Sequence, residues 1–232
     1  MIKNYKFCQL VTIGITSLIL ASTTVARAEY KPPRGQRPPT TRTTTTGGRG
    51  GCETNGEISL QLLAPQNHVG QTTSTHPTFA WFVPDSKPLP MEFRLYKYNL
   101  NREPQIQQQV QMQSQYGIMT LTLPKNKPGL EVGKRYLWQV IILCNPNQPA
   151  NDLFAMAEIE VVKMPKRVFL VRNSRTNINI LAAAGLWYDA LGEALRLGQK
   201  DVIYSLLNDL AALETVEPPT TSTPSSTIPP HR

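Results

Sequence analysis

Apolar and polar positions between residues 58 and 162 form short runs that are separated by prolines and other turn residues. Seven runs have the length and the alternation expected of β-strands with one face in a core and one in water. They are Ile58–Leu63, Thr78–Val83, Met91–Tyr98, Gln105–Gln113, Gly117–Leu123, Tyr136–Cys144 and Phe154–Val162. Seven short strands at this spacing predict a β-sandwich, which we assign to residues 52–163.

Two of these runs predict which side chains share a face. In the fourth run, Ile106, Val110 and Met112 are expected on the core face, opposite the intervening glutamines. In the last run, Glu158 and Glu160 are expected to face water together. Such a pair could serve a hydrolase, although two solvated charges are the commoner reason for this pattern.

The hydrophobic period changes after Asn177. Apolar residues then recur at helical spacing as far as Gly198, and Asp201 can cap a second helix. The stripe of the first helix is Ile180, Ala184, Trp187, Leu191 and Leu195. We therefore predict a helical hairpin over residues 178–216 that docks on the sandwich or on another chain, after a basic connector over residues 164–177.

The first 28 residues have the pattern of a cleavable signal peptide. Lys3 and Lys6 precede the uncharged run Leu10–Ala21, and Ala26-Arg27-Ala28 forms an A-x-A cleavage site. The run is too short and too often broken by hydroxyl residues for a membrane span. We expect an exported mature chain that begins at Glu29, lies in the periplasm or outside the cell, and has no transmembrane anchor.

Two further segments lack the side chains needed for a core. Residues 29–51 are rich in Pro, Thr, Gly and Arg, and residues 217–232 are rich in Pro, Thr and Ser. Neither can bury enough apolar surface to offset the entropy of ordering. We predict a disordered basic leader and a disordered tail.

Charge is unevenly distributed along the chain. The net charge is +8, yet residues 52–214 hold 15 basic and 14 acidic residues, which argues against nucleic acid as a partner. One basic cluster remains within the folded part, and it consists of Lys163, Lys166, Arg167, Arg172 and Arg175. This cluster is a candidate site for an anionic ligand or lipid headgroup; a solvated connecting segment is the alternative.

Cleavage of the signal leaves two cysteines, Cys52 and Cys144. An even number of cysteines in an exported chain predicts a disulfide, and two buried thiols are the alternative. The proposed topology supports pairing because Cys52 precedes the first strand and Cys144 ends the sixth, at the same pole of the sandwich. We predict a Cys52–Cys144 disulfide.

No catalytic constellation is evident. His68, His76 and His231 lack the close spacing of metal ligands, and no nucleophile elbow or phosphate loop occurs. Trp187, Tyr188 and Asp189 could form a sugar-stacking patch, although at that spacing Trp187 belongs more naturally to a core. We therefore assign no catalytic residues, no metal and no cofactor.

The order of the strands resembles an immunoglobulin-like sandwich of the fibronectin type III variety. The resemblance rests on Trp81 and on the stretch Leu130-x-x-Gly133-x-x-Tyr136-x-Trp138. In such folds a tyrosine at this place returns its hydroxyl to the upstream backbone, which implies that contact for Tyr136.

Several short motifs together resemble an exported cyanobacterial family known as domain of unknown function 928. They are PRG, GGRGGC, Pro77-Thr78-Phe79-x-Trp81, Gly133-x-x-Tyr136-x-Trp138 with Cys144, and Gly185-Leu186-Trp187-Tyr188-Asp189-Ala190. The resemblance implies no established activity, so it supplies no catalytic residues.

Two functional hypotheses follow. The first is a non-catalytic exported module, not an enzyme, that binds an unknown envelope component or protein through its loops and helices. The alternative is a hydrolase of envelope polymers whose site is assembled only in the fold. A concave pocket with converging carboxylates or histidines would favour the hydrolase.

Overall fold

The structure is a computed structural model, and it describes residues 29–35, 38–39, 52, 59–145 and 147–215. The predicted signal peptide, most of the leader and the tail lie outside the described residues. The strands are β1 (Gln61–Leu62), β2 (Gly70–Thr72), β3 (Thr78–Val83), β4 (Pro90–Tyr98), β5 (Pro104–Gln113), β6 (Gly117–Thr122), β7 (Arg135–Ile142) and β8 (Leu153–Val161). The helices are α1 (Ser174–Ala183), α2 (Trp187–Arg196) and α3 (Lys200–Thr215), and a 3₁₀ turn spans Pro149–Asn151.

The strands form two sheets, which confirms a mainly β fold followed by helices. One sheet has the order β1-β3-β6 and the other the order β2-β8-β7-β4-β5. The sequence did not predict β2, whose three residues pair in parallel with β8. This strand escapes the sequence pattern because it is short and reads Gly-Gln-Thr, which carries no apolar alternation.

Aromatic side chains fill the space between the sheets. Phe79 lies 4.9 Å from Trp138 and 5.1 Å from Phe93, measured between ring centroids. Trp81 and Phe93 stack at 6.2 Å. All four are completely buried. The predicted Tyr136 contact is also confirmed, since the Glu131 N–H donates to its hydroxyl at 2.9 Å.

A β-bulge corrects the predicted face of one residue. The β4–β5 register shifts between Leu95 and Tyr96, so Leu95 pairs with Gln108 and Tyr96 pairs with Ile106. Because a shift of one residue turns a side chain to the opposite face, Ile106 does not share the face of Val110. Ile106 is accordingly more than half exposed.

The predicted first helix is two helices, so the hairpin is wrong in that detail. Gly185 adopts a positive φ of 80° after α1. Its N–H bonds the Ala182 carbonyl and the Leu186 N–H bonds the Leu181 carbonyl, each at 3.0 Å, which is a Schellman ending. A Cβ on Gly185 would come within 2.7 Å of Pro33. The chain therefore needs glycine here, and the apolar stripe resumes in α2 at a new angle. The predicted stop at Gly198 is confirmed, and α3 begins at Lys200 with Asp201 in its first turn.

Helix α2 docks on the sandwich through polar atoms as well as apolar ones. The Trp187 Nε1–H donates to the Leu63 carbonyl at 2.9 Å. The Tyr188 hydroxyl accepts from Trp138 Nε1 at 2.8 Å and donates to the Glu158 carbonyl at 3.3 Å. The predicted docking surface of the helices is thus the sandwich of the same chain.

Asp189 ties the start of α2 to the segment that follows β2. Its carboxylate accepts hydrogen bonds from the Thr72 hydroxyl at 2.5 Å, the Thr73 N–H at 2.7 Å and the Thr73 hydroxyl at 2.8 Å. The Thr72 side chain is buried. Charge-assisted bonds of this kind are stronger than neutral ones, so Asp189 fixes the position of the helix.

Tyr30 corrects the predicted leader. It lies in the described residues 29–35, is 2% exposed and packs edge-on against Trp187 at 4.8 Å. Its hydroxyl contacts His68 Nε2 at 2.7 Å, and its N–H donates to Asp209 at 3.2 Å. Together with the Lys31 N–H, which donates to the Ala182 carbonyl at 3.2 Å, these contacts hold the start of residues 29–35 against the helices.

The predicted disulfide joins Cys52 to Cys144, with 5.3 Å between the Cα atoms. Two aspartates hold its backbone. The Cys52 N–H donates to Asp85 at 3.2 Å, and the Cys144 N–H donates to Asp152 at 3.0 Å. The bond links the segment before β1 in one sheet to the end of β7 in the other.

Reduction of the disulfide is expected to lower the free energy of unfolding by about 4–5 kcal/mol, because the bond closes a loop with a sequence separation of 92. Denaturant unfolding of the wild type and of Cys52→Ser/Cys144→Ser measures the difference. Reductant should destabilise the wild type and leave the double variant unchanged. Equal stabilities of the oxidised wild type and the variant would contradict this prediction.

Asp189→Ala is expected to lower the free energy of unfolding by about 2–4 kcal/mol, because it removes three hydrogen bonds and leaves the buried Thr72 hydroxyl without an acceptor. Glu193→Ala on the same helix is the control and should cost less than about 1 kcal/mol, since its partner Arg196 is exposed. Equal losses in the two variants would show that Asp189 does not hold the helix.

Acid is expected to weaken the Tyr30 contact through His68. Burial lowers the pKa of His68 from 6.5 to about 4, so the folded chain accepts its proton less readily than the unfolded chain. Stability is then complete above pH 6.5 and falls as the pH drops towards 4. Nearby Glu214 has the opposite effect, because burial raises its pKa.

The matched variant His68→Gln keeps a polar side chain beside Tyr30 without titrating. Between pH 6.5 and 4 the wild type should lose about 1–2 kcal/mol more than this variant, a figure reduced for the partial exposure of His68. Chemical denaturation across this range measures it. Parallel pH profiles for the two proteins would contradict the assignment.

Candidate functional site

A cleft of about 770 Å³ lies where the sandwich, the helices and the connector meet. One wall is the outer face of β3 and β6, the opposite wall is α1 and α2, and the ends are formed by the segment before β3 and by the connector. The lining residues include Thr73, Ser74, His76, Thr78, Ile118, Thr120, Thr122, Met164, Leu170, Leu181, Tyr188, Asp189, Gly192, Glu193, Leu195 and Arg196.

Threonine hydroxyls line the sheet wall because alternate residues of β3 and β6 point outward. Thr78 pairs with Thr122, and Ala80 pairs with Thr120. The Thr78 and Thr122 hydroxyls lie 2.8 Å apart, and Thr120 is exposed. Helix α2 stands above this wall and approaches it closely at Gly192, where a Cβ would lie 3.4 Å from Thr78.

The ionisable groups of the cleft are bonded to their neighbours. His76 Nε2 contacts the Lys127 carbonyl at 3.1 Å, so this nitrogen carries the proton and Nδ1 accepts from the Thr75 hydroxyl at 3.0 Å. Asp189 holds its three donors. Glu193 accepts two hydrogen bonds from Arg196, at 2.8 and 2.7 Å, and this partner lowers the pKa of Glu193.

This arrangement has consequences for chemistry. The carboxylates of Asp189 and Glu193 each bond a structural partner. Within the described residues, neither is hydrogen-bonded to His76 as a carboxylate that orients a catalytic base would be. The hydroxyls and the apolar residues of the two walls, such as Ile118 and Leu195, can instead contact a bound molecule directly.

The predicted basic cluster is exposed beside the cleft. Lys163, Lys166, Arg167 and Arg172 all lie on the surface of the connector, two of whose residues, Met164 and Leu170, line the cleft. Arg175 is set apart, since it pairs with Asp201 at the start of α3.

The other sequence candidates lie elsewhere. Glu158 does not face water as predicted, because Tyr98 donates to its carboxylate at 2.9 Å, Arg135 lies 3.5 Å from it, and its side chain is buried. Trp187 and Tyr188 are buried, which rules out a sugar-stacking patch. His68 lies on Tyr30 rather than in the cleft, and His231 falls outside the described residues.

The hydroxyl wall of the cleft was not predicted from the sequence. The one local signal is the run from Thr72 to Thr78, in which every residue except His76 and Pro77 carries a hydroxyl. Its meaning depends on β2 and on the break at Gly185, neither of which was predicted.

Within the described residues, no three of the His, Cys, Asp and Glu side chains are grouped as metal ligands would be. No helix in the described ranges is both long enough and apolar enough to cross a bilayer.

Similarity to solved structures is weak. The superoxide reductase (neelaredoxin) from Ignicoccus hospitalis overlaps 45% of this chain and 80% of its own, at 18% sequence identity and a TM-score of 0.30. We draw neither fold nor function from an overlap of that quality. No curated protein matches the chain.

The family model gives a match of a different extent. The model described as Domain of Unknown Function (DUF928) covers residues 44–215, which include both cysteines of the disulfide, both sheets and all three described helices. The motifs that suggested this family in the sequence lie mostly in that range. The chain therefore belongs to the DUF928 family.

Proposed function

We propose that this protein is an exported, non-catalytic binding module of the cyanobacterial cell envelope, and that its cleft holds a hydroxyl-rich envelope polymer. The observation that carries the proposal is the state of the polar groups in the cleft. Asp189, Glu193 and His76 are engaged by structural partners and Thr78 bonds Thr122, whereas Thr120 is exposed to a ligand on the same wall.

The shape and lining of the cleft support this role. Binding sites combine apolar surface with a few polar groups that fix the orientation of the ligand. Here Leu181, Leu195 and Ile118 supply the apolar surface, and Thr78 and Thr120 supply hydroxyls. A polymer with many hydroxyl groups can exchange hydrogen bonds with the threonines while its apolar ring faces lie against these apolar side chains.

Hydrolysis is the weaker candidate. A hydrolase of glycosidic bonds needs a general acid and a second carboxylate on opposite sides of the bond. Asp189 is occupied by three donors and Glu193 by the guanidinium of Arg196, so neither carboxylate is placed to exchange a proton with a ligand. The same contacts serve a rigid binding wall well.

The fold class and the location belong to the same proposal. The strand order, the parallel pairing of β2 with β8 and the Tyr136 contact support an immunoglobulin-like sandwich. The A-x-A pattern at residues 26–28 and the disulfide support export, because disulfides persist in oxidising compartments.

Thr120→Trp is expected to block the cleft and to reduce binding to purified insoluble envelope polymer about tenfold or more, because the indole occupies the sheet wall. Gln111→Trp is the control, since it places the same side chain on the exposed edge strand β5, away from the cleft. Sedimentation of the protein with the polymer measures the bound fraction.

Two results would count against this proposal. Equal binding by Thr120→Trp and Gln111→Trp would place the ligand elsewhere. Release of soluble fragments from the polymer by the wild type, and not by Thr120→Trp, would establish the hydrolase instead.

A further inference from the structure

The connector has an unusual combination of side chains over residues 163–172. This segment, which we call the connector loop, reads KMPKRVFLVR and holds four basic residues, no acidic residue and five large apolar ones. Outside this loop, residues 52–214 hold 11 basic and 14 acidic residues. The loop is therefore a local concentration of positive charge and of apolar surface.

The apolar side chains of the connector loop are exposed. Phe169 is 75% exposed, and Met164, Leu170 and Val171 are each between 41% and 51% exposed. Isolated exposed hydrophobic residues are ordinary on protein surfaces, but a contiguous group marks an interaction site. Phe169 and Val171, neither of which lines the cleft, form such a group, whereas Leu170 lines the cleft.

The loop is held in shape at both ends. The Val162 N–H donates to the Thr72 carbonyl at 2.8 Å, and the Val168 N–H closes a turn on the Pro165 carbonyl at 2.9 Å. The Asn177 side chain clasps Val171, accepting from its N–H and donating to its carbonyl, each at 2.7 Å. The exposure of Phe169 is thus a property of a fixed turn.

The charges of the loop are available to a partner. Within the described residues, Lys163, Lys166, Arg167 and Arg172 form no ion pair, whereas the neighbouring Arg175 is paired with Asp201. Lysine and arginine near an anionic surface each add to the affinity for it, and the contributions accumulate.

We propose that the connector loop is a peripheral membrane contact, in which Phe169 and Val171 enter the headgroup region of an anionic bilayer and the four cations bind lipid phosphates. The exposed apolar side chains favour a bilayer over a soluble polyanion, because a polyanion would leave Phe169 in water. Binding at a membrane interface combines burial of apolar side chains with the attraction of cations to anionic lipids. The contact lies on the membrane surface, and it does not depend on the function proposed for the cleft.

The test uses the full mature chain and sedimentation with vesicles of phosphatidylcholine, with and without phosphatidylglycerol. The wild type should bind the vesicles that contain phosphatidylglycerol and only weakly the neutral ones. Phe169→Ser/Val171→Ser should reduce this binding about tenfold or more. Leu100→Ser, at a fully exposed leucine in the β4–β5 turn, is the matched control and should have no effect.

The charge term has its own pair of variants. Lys166→Gln/Arg167→Gln should weaken binding about tenfold or more, and Lys125→Gln/Lys127→Gln, which removes two exposed cations from the β6–β7 segment, should leave it nearly unchanged. The cleft variant Thr120→Trp should bind vesicles like the wild type, which separates this proposal from that for the cleft.

Three results would overturn the inference. If Phe169→Ser/Val171→Ser bound anionic vesicles as strongly as the wild type, the site would be purely electrostatic. If the wild type bound neutral and anionic vesicles equally, the cations would have no role. Undiminished binding in Lys166→Gln/Arg167→Gln would place the contact on another surface. All four substituted positions are exposed, so circular dichroism should show unchanged folding.

Discussion

The buried hydroxyl of Tyr188 is the contact on which the arrangement of this molecule depends. It accepts from Trp138 in the centre of the sandwich and donates to the Glu158 carbonyl in β8. Burial of this phenol raises its pKa, so it stays a hydroxyl and keeps both roles at any physiological pH. Without it, the indole N–H of Trp138 would be left unpaired in the core, at a cost comparable to the loss of a strong hydrogen bond.

The position of α2 then determines one wall of the cleft and, through Asp189, the segment before β3 that forms one of its ends. The residue after Tyr188 is Asp189, which binds Thr72 and Thr73 and so orients the hydroxyl run that leads into β3. The residue before it is Trp187, against which Tyr30 packs. The start of α2 therefore contacts the sandwich, residues 29–35 and the cleft. The positive φ of Gly185 permits these contacts because it turns the chain between α1 and α2.

The sequence predicted those features that depend on local pattern. Six of the seven predicted strands overlap those observed almost fully, and the Cys52–Cys144 pair follows from the cysteine count and the topology. The errors have tertiary causes. The bulge beside Tyr96 places Ile106 on the outer face. Tyr98 and Arg135 contact Glu158, which is buried. Tyr30 is buried against Trp187. None of these contacts has a periodic signal in the sequence.

The connector loop carries the proposed membrane contact and also lines the cleft. In an extended segment successive side chains point to opposite sides, which agrees with Leu170 lining the cleft while Phe169 and Val171 do not. A ligand in the cleft and a bilayer under the loop would thus contact neighbouring residues on one short, pinned segment. Because binding free energies at coupled sites are reciprocal, occupation of either surface would alter affinity at the other only through a shift of this loop. The two Asn177 hydrogen bonds to Val171 limit that shift, so the geometry favours two nearly independent contacts on opposite sides of one segment.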